Sequence, residues 1–342
     1  MTLNISKGIK MLKSLLSLTV LSACSLLLYS VVNSGPKSTI LLLIELEKQE
    51  FDKYLADYDK SYSGEEYVYR FKVFRDTLAY IKITNLQGLS YTVGINRFTD
   101  MTHEEVKRLF FTDMPKKNVQ ITSTVPVSYP PALDWRTQGA VTPVKNQSPC
   151  AASWAFSTTG LVEGSWKIAG HSLVSLSEQQ LLDCTGYFGN NGCYGGYVSN
   201  SLSYVLQFGL TSEGNYPYTG NPSICNAEKI NPPAATLQVY NHIQQDDPGA
   251  LLAAVATSPI SIDVQGDSWI NYSGGVLNVP CTSTRYNLSA LVVGYDTTAS
   301  QPYYIVKTSW GTGYGMGGYL YVAITAGAGS TCIQGQPIQA IS

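Results

Sequence analysis

Histidine is almost missing from this chain, with three in 342 residues, at His103, His171 and His242. Cysteine never occurs with CxxC spacing. These scarcities leave no ligand set for a zinc site, and no metal or cofactor is expected. Charge is thin too: Asp, Glu, Lys and Arg make up 13% of the residues, against about a quarter in an ordinary domain. No basic stripe exists, which argues against a nucleic-acid partner. The small net charge is unevenly spread. Residues 1–44 carry four lysines and no acid, residues 45–123 carry 12 basic and 13 acidic groups, and residues 124–342 carry 6 and 11.

What is there begins with an export-like leader. Lys7, Lys10 and Lys13 precede an apolar stretch from Leu15 to about Val32, a basic n-region followed by an h-region. Residues 1–32 therefore read as a signal peptide. The stretch is close to spanning length, so an uncleaved signal anchor, the only membrane association expected, is the competing reading. Cys24 lies inside this leader. The other six cysteines, Cys150, Cys184, Cys193, Cys225, Cys281 and Cys332, form an even set suited to disulfides in an oxidising compartment. The secretory pathway is expected, ending outside the cell or in a lysosome or vacuole.

Two grammars follow. In residues 45–111, Glu66, Arg70, Phe74, Thr77, Ile81 and Asn85 fall on one helix face, and Phe51, Tyr54 and Tyr58 repeat the spacing upstream. Tyr91, Gly94, Asn96, Phe98 and Asp100 then suggest a short extended segment. Thr102 and Glu105 make a capping box for another helix. Residues 112–130, rich in Lys, Thr, Ser and Pro, read as an exposed linker. From residue 131 to 342, helices near 151–168 and from Ser177 give way to β-rich runs at 260–264, 290–295, 303–307 and 318–322. This is an α+β pattern.

The motifs "ALDWRTQGAVTPVKNQ", "LSEQQLLDC", "GCYGG" and "KTSWG" resemble the papain-family cysteine proteases, with the cathepsin L branch the nearer likeness. The helical segment resembles that family's inhibitory propeptide, through Glu66, Arg70, Val73, Phe74, Ile81 and Asn85 and through Gly94, Asn96, Phe98 and Asp100. The resemblance implies a two-lobed fold, with a helical left lobe and a β-barrel-like right lobe, preceded by a mainly helical propeptide domain. It also implies the pairings Cys150–Cys193, Cys184–Cys225 and Cys281–Cys332, each stabilising by about 2–4 kcal/mol.

The chemistry implied by the family does not survive the same alignment. Its oxyanion glutamine is present as Gln147. Its nucleophilic cysteine is Ser153, its base histidine is Leu288 within "NLSALVVGY", and its orienting asparagine is Thr308. A serine hydroxyl needs an adjacent base, and none of the three histidines lies in a family active-site motif. The expectation is an inactive homologue that binds rather than cuts, or that serves as a decoy or structural element. The alternative is a weak serine-based hydrolase using Ser153. Gly195, Gly196, Tyr197 and Trp310 would line the former substrate groove, open to peptide or protein ligands, with the propeptide segment as a partner in the same chain. Ser148, Ala151 and Ala152 depart from the family's glycine- and serine-containing sequence. Among three sequons, Asn271 is the expected glycan site, Asn287 adjoins Leu288, and Asn146 is expected to be buried.

Overall fold

The computed structural model describes residues 36–117, 121 and 128–342, so the leader reading lies outside the described residues. Among the described residues, no helix is long and apolar enough to cross a membrane. The chain divides into two compact units, meeting between Arg75 and Asp76.

The first unit is built on α1 (Pro36–Asp57) and the beginning of α2 (Gly64–Asn85). Its centre is aromatic. The Phe51 ring lies 5.1 Å from Phe74, 5.2 Å from Tyr67 and 5.5 Å from Phe71, offset and edge-on contacts of the kind aromatic quadrupoles favour. Tyr67 donates its hydroxyl to Asp52 at 2.6 Å, and Arg75 pairs with Glu47 at 2.5 Å. The helical periodicity read from the sequence finds its core here, at Phe51, Tyr54 and Phe74.

The second unit starts with the rest of α2, then β1 (Tyr91–Val93), α3 (His103–Phe110) and β2 (Met114–Pro115). The extended segment stops at Val93, short of the expected alternation through Asp100. Asn96 explains why: its Oδ1 accepts from the Phe98 N–H at 2.9 Å and its Nδ2 donates to the Ile270 carbonyl at 2.7 Å. Such a side chain satisfies backbone groups locally and makes a turn instead of a strand. The Thr102–Glu105 capping box does open α3. A second correction concerns residues 112–130: residues 112–117 are not an exposed linker. Met114 is buried, and Met114–Pro115 pairs antiparallel with Tyr286 and Arg285 of β7 (Arg285–Tyr286).

The remainder has a helical lobe and a β lobe. The helical lobe holds α4 (Ser153–Ile168), α5 (Glu178–Cys184) and α6 (Val198–Phe208). α4 is buried on every side from Ser153 to Ser165, as a helix lacking a polar face must be. In the β lobe, β3 (Ala132–Asp134), β4 (Val239–His242), β5 (Ile260–Val264), β6 (Tyr272–Leu277), β8 (Leu288–Asp296), β9 (Tyr303–Lys307), β10 (Tyr319–Ala323) and β11 (Ile338–Ile341) join β1. The sheet order is β1-β6-β10-β9-β8-β5-β11-β4, with β3 also pairing with β8. α7 (Pro248–Val255), capped by Asp247, packs into the β core.

β8 is the hinge of the design. Its side chains alternate between faces: Leu288, Ala290 and Val292 enter the β core, whereas Leu291 and Val293 enter the helical core. That explains its unbroken apolar run, since both faces are covered. The three disulfides form as the resemblance implies, Cys150–Cys193, Cys184–Cys225 and Cys281–Cys332.

Candidate active-site cleft

The period of β8 decides what faces Ser153. Leu288 turns into the β core at 2% exposure, against Gly266 and the approaching Phe111 ring. Ser289, one residue on, faces α4, and its backbone N–H donates to Ser153 Oγ at 3.1 Å. Ser153 opens α4, with Ala152 at the cap making no side-chain hydrogen bond. Ser153 as a whole is 1% exposed. Thr308 follows β9 and gives both its N–H and its hydroxyl to the Gly318 carbonyl, at 3.0 and 2.9 Å. All three side chains are thus absorbed into ordinary packing and backbone bonding.

The histidines are engaged elsewhere. His171 stacks on Trp166 at 3.6 Å, and His242 lies edge-on to Tyr240. His103, on α3, reaches Asp267 Oδ1 at 3.0 Å, where Lys107 also arrives at 3.1 Å. Hydrogen bonds from His103, Lys107 and Asn287 hold the Asp267 carboxyl well below its usual range, against the opposing effect of partial burial.

Gln147 is fully buried and firmly held. Its Oε1 accepts from Ser309 Oγ at 2.6 Å, and its Nε2 donates to the Cys150 carbonyl at 2.7 Å. A longer bond of 3.3 Å runs from the same nitrogen to the Phe110 carbonyl. The donor that would face an oxyanion is therefore turned toward the chain's own residue 110. From there the segment continues along the cleft. The Thr112 N–H donates to the Asn287 carbonyl at 2.9 Å, and the Lys116 N–H donates to the Thr284 carbonyl at 2.8 Å. Arg285 grips Asp113 through two nitrogens, one of them Nε at 2.6 Å.

The expected groove residues meet this segment in different ways. A Cβ on Gly195 would stand 2.2 Å from Thr112 Cγ2, and its φ of +116° is itself strained for other residues. Gly196 owes its size to the interior, since a Cβ there would meet the Trp154 ring at 2.8 Å. Trp310 is buried, edge-on to Phe98 at 5.1 Å and stacked with Phe111 at 6.2 Å. The Tyr197 ring receives Lys117.

The sequons need correction. Asn271 Nδ2 is buried with no hydrogen-bond partner, so in the folded chain that nitrogen is closed to a glycan. Asn287 spends its amide on Asp267 and on the Gly266 N–H, at 2.6 and 2.7 Å. Asn146, expected to be buried, is exposed, and its Oδ1 accepts from Arg97 at 2.5 Å and from the Ser148 N–H at 3.0 Å. Ser148 itself adopts φ +54°, a conformation that suits the glycine usual in the family.

Behind the cleft lies a charged cluster that sequence reasoning missed. Lys145 bridges Glu163 at 2.9 Å and Glu178 at 2.6 Å. Glu163 also accepts from Thr142 at 2.6 Å and the Leu176 N–H at 2.8 Å, and Lys307 donates to Thr142 at 3.0 Å. Lys145, Glu163, Glu178 and Lys307, with Ser289 and Thr308, line a cavity of about 20 Å³, the size of a single water site. Burial disfavours the Lys145 ammonium, but the two carboxylates outweigh it and raise its pKa. Burial pushes Glu178 up to about 7 and Lys307 down to about 8. The sequence clue was Lys145, Glu163 and Lys307, each directly after a valine in a locally apolar stretch, where a charge is stable only if paired.

A segment of the same chain, residues 110–117, lying along the cleft of a two-lobed, three-disulfide domain matches the zymogen architecture of a papain-like protease. The chain belongs to the papain family: the family model described as Papain family cysteine protease matches residues 129–339, and the Cathepsin propeptide inhibitor domain (I29) matches residues 51–106. A cathepsin L-like proteinase of Fasciola hepatica is 38% identical over 281 residues, covering 79% of this chain and 86% of that protein. Chymopapain of Carica papaya is 37% identical over 291 residues, covering 82% of each. Among solved structures, a recombinant stem bromelain precursor superposes with a TM-score of 0.80 at 31% identity, covering 86% of this chain and 98% of that one. Digestive procathepsin L2 of Tenebrio molitor larval midgut gives 0.78 at 35% identity, covering 86% and 100%.

Proposed function

We propose that this protein is a non-proteolytic member of the papain family that binds peptide segments in the former substrate cleft, with residues 110–117 as its resident occupant. The observation that carries the reading is the surroundings of Ser153: its oxygen accepts from the Ser289 N–H, and the adjacent residue on β8 is Leu288. A serine needs a base to attack a carbonyl, and a leucine can neither take a proton nor return one to a leaving amine. The three disulfides and the basic, apolar leader support a secretory route, to the extracellular space or a lysosome-like compartment.

Incubating the chain, before and after cleavage in the 118–130 region, with a mixed peptide library tests this reading. No cleavage above the rate of a Ser153→Ala variant is expected. Turnover that Ser153→Ala abolishes, or labelling of Ser153 by a fluorophosphonate, would overturn it.

A further inference from the structure

Between α3 and the β lobe lies a cavity of about 520 Å³, all of it within the second unit. One wall is made by α3 and residues 111–113, and the other by the β lobe, with Asp267, Arg285 and Tyr286 among its residues. The volume is that of a small-molecule site. Phe111 and Tyr286, both largely buried, give it an apolar side.

Four of its six charged residues are matched across the two walls: Lys107 meets Asp267 at 3.1 Å, and Arg285 grips Asp113. The other two are Glu104 and Arg108. They stand four residues apart on α3 with the glutamate first, the order that favours an i,i+4 pair. Yet neither makes an ion pair or a hydrogen bond among the described residues. Both are exposed, and both line the cavity instead of closing on each other. Four residues of helix separate them by about 6 Å along the axis, enough for a group bearing both signs to sit between them.

We propose that this cavity binds a free α-amino acid with an apolar side chain: its carboxylate on Arg108, its ammonium on Glu104, and its side chain along Phe111 and Tyr286. The planar guanidinium fork suits a carboxylate. Because one wall belongs to the prosegment and the other to the β lobe, the bound molecule braces the two against each other. A ligand that needs both walls stabilises the closed arrangement by mass action. The cavity is then an effector site of the uncut chain, and it stands whether or not Ser153 is inert.

The test is a ligand-observed NMR titration of the full chain with L-phenylalanine and L-leucine, with N-acetyl-L-phenylalanine amide as the uncharged control. A free amino acid should bind saturably, and the control should bind about tenfold more weakly. Arg108→Gln and Glu104→Gln, both at exposed positions, should each weaken binding about tenfold. Saturation should also slow hydrogen exchange at the Thr112 and Lys116 amides, which bond to Asn287 and Thr284. Removal of the prosegment should abolish binding. The proposal is overturned by the absence of saturable binding of both amino acids, by equal binding of the control, or by indifference to either substitution. Binding that survives removal of the prosegment overturns it too, since α3 would then form no part of the site. Binding without slowed exchange would overturn the bracing role.

Discussion

Two polar groups of residues lie back to back in this molecule and have fared differently. Behind the cleft, Lys145 pairs with both Glu163 and Glu178, and Lys307 joins the network through Thr142, which donates to Glu163. At the cleft wall, Ser153, Leu288 and Thr308 share no hydrogen bond with one another. Their polar atoms bond to backbone groups instead. The difference follows from what each group does for the fold. Removing one buried charge exposes its partner to a large desolvation penalty, so such a network resists piecemeal change. On the proposed reading that no imidazole faces Ser153, nothing but local bonding fixes Ser153 and Thr308, and each can settle into any hydrogen bond at hand.

The sharpest way to break that contrast is to rebuild the triad. In Ser153→Cys/Leu288→His/Thr308→Asn, removal of the prosegment takes Phe111 away, and an imidazole at 288 is then expected to swing out of the β core toward a thiol at the N-terminus of α4, where the pKa of a thiol falls. Peptide turnover should rise by about 10⁴-fold over the unaltered chain, measured after removal of the prosegment. Ser153→Cys alone should add almost nothing, since the thiol still lacks its base. A single substitution that restored full turnover would mean a base acts from outside these three positions.

The buried network should answer next most strongly. Lys145→Met leaves two carboxylates facing each other and should cost about 3–5 kcal/mol in denaturant unfolding. Lys307→Met should cost clearly less, because burial already works against that ammonium. Its pKa of about 8 in the folded chain lies below the ordinary 10.5. The unfolded chain therefore holds more protons between those values, and this lysine makes stability rise with pH across the window, being most costly below pH 8. Lys307→Met should flatten that rise, and an unchanged pH profile would show that Lys307 is not held in a low-pKa state.

These contrasts also mark what the sequence could reveal. The capping box at Thr102, the helix start near Ser177 and the β-rich runs were legible because each depends on local pattern. The path of residues 112–117 was not. "TDMPKK" carries no apolar period, and its strand pairing is dictated by an edge 170 residues further on, at Arg285 and Tyr286. Ser153, Leu288 and Thr308 could be named from flanking motifs, yet the motifs are silent on which way a residue points. That Leu288 turns inward while Ser289 meets Ser153 emerges only from the register of β8 against β5, where Val264 pairs with Leu288.

The fit of the segment to its cleft can be sharpened at Gly195. Gly195→Ala places a methyl within 2.2 Å of Thr112 and forces a side chain into φ +116°, for a cost of about 1–3 kcal/mol. Hydrogen exchange should speed up at the amides of Thr112 and Lys116, which bond to Asn287 and Thr284. Gly186→Ala, where an added methyl meets nothing within 4 Å, is the matched control. Equal protection in both variants would mean that the segment is not pressed against Gly195.

The smallest effect belongs to the ion pairs that fasten α3. Asp267 receives His103 and Lys107 near the surface, and exposed pairs contribute about 1 kcal/mol or less. Their pH dependence is nevertheless informative. The Asp267 carboxyl titrates well below its ordinary 3.8 in the folded chain. Its stabilising contribution is therefore complete above about pH 4 and is lost only as pH falls beneath that value. Protection of the α3 amides should hold between pH 7 and about pH 4.5 as far as Asp267 is concerned, then decline in stronger acid, and Asp267→Asn should remove the decline. Loss of protection already near pH 6 in both chains would assign acid sensitivity to another group. Asp263, whose pKa is raised to about 6 by burial, would then be the first to test, because its titration falls in that range.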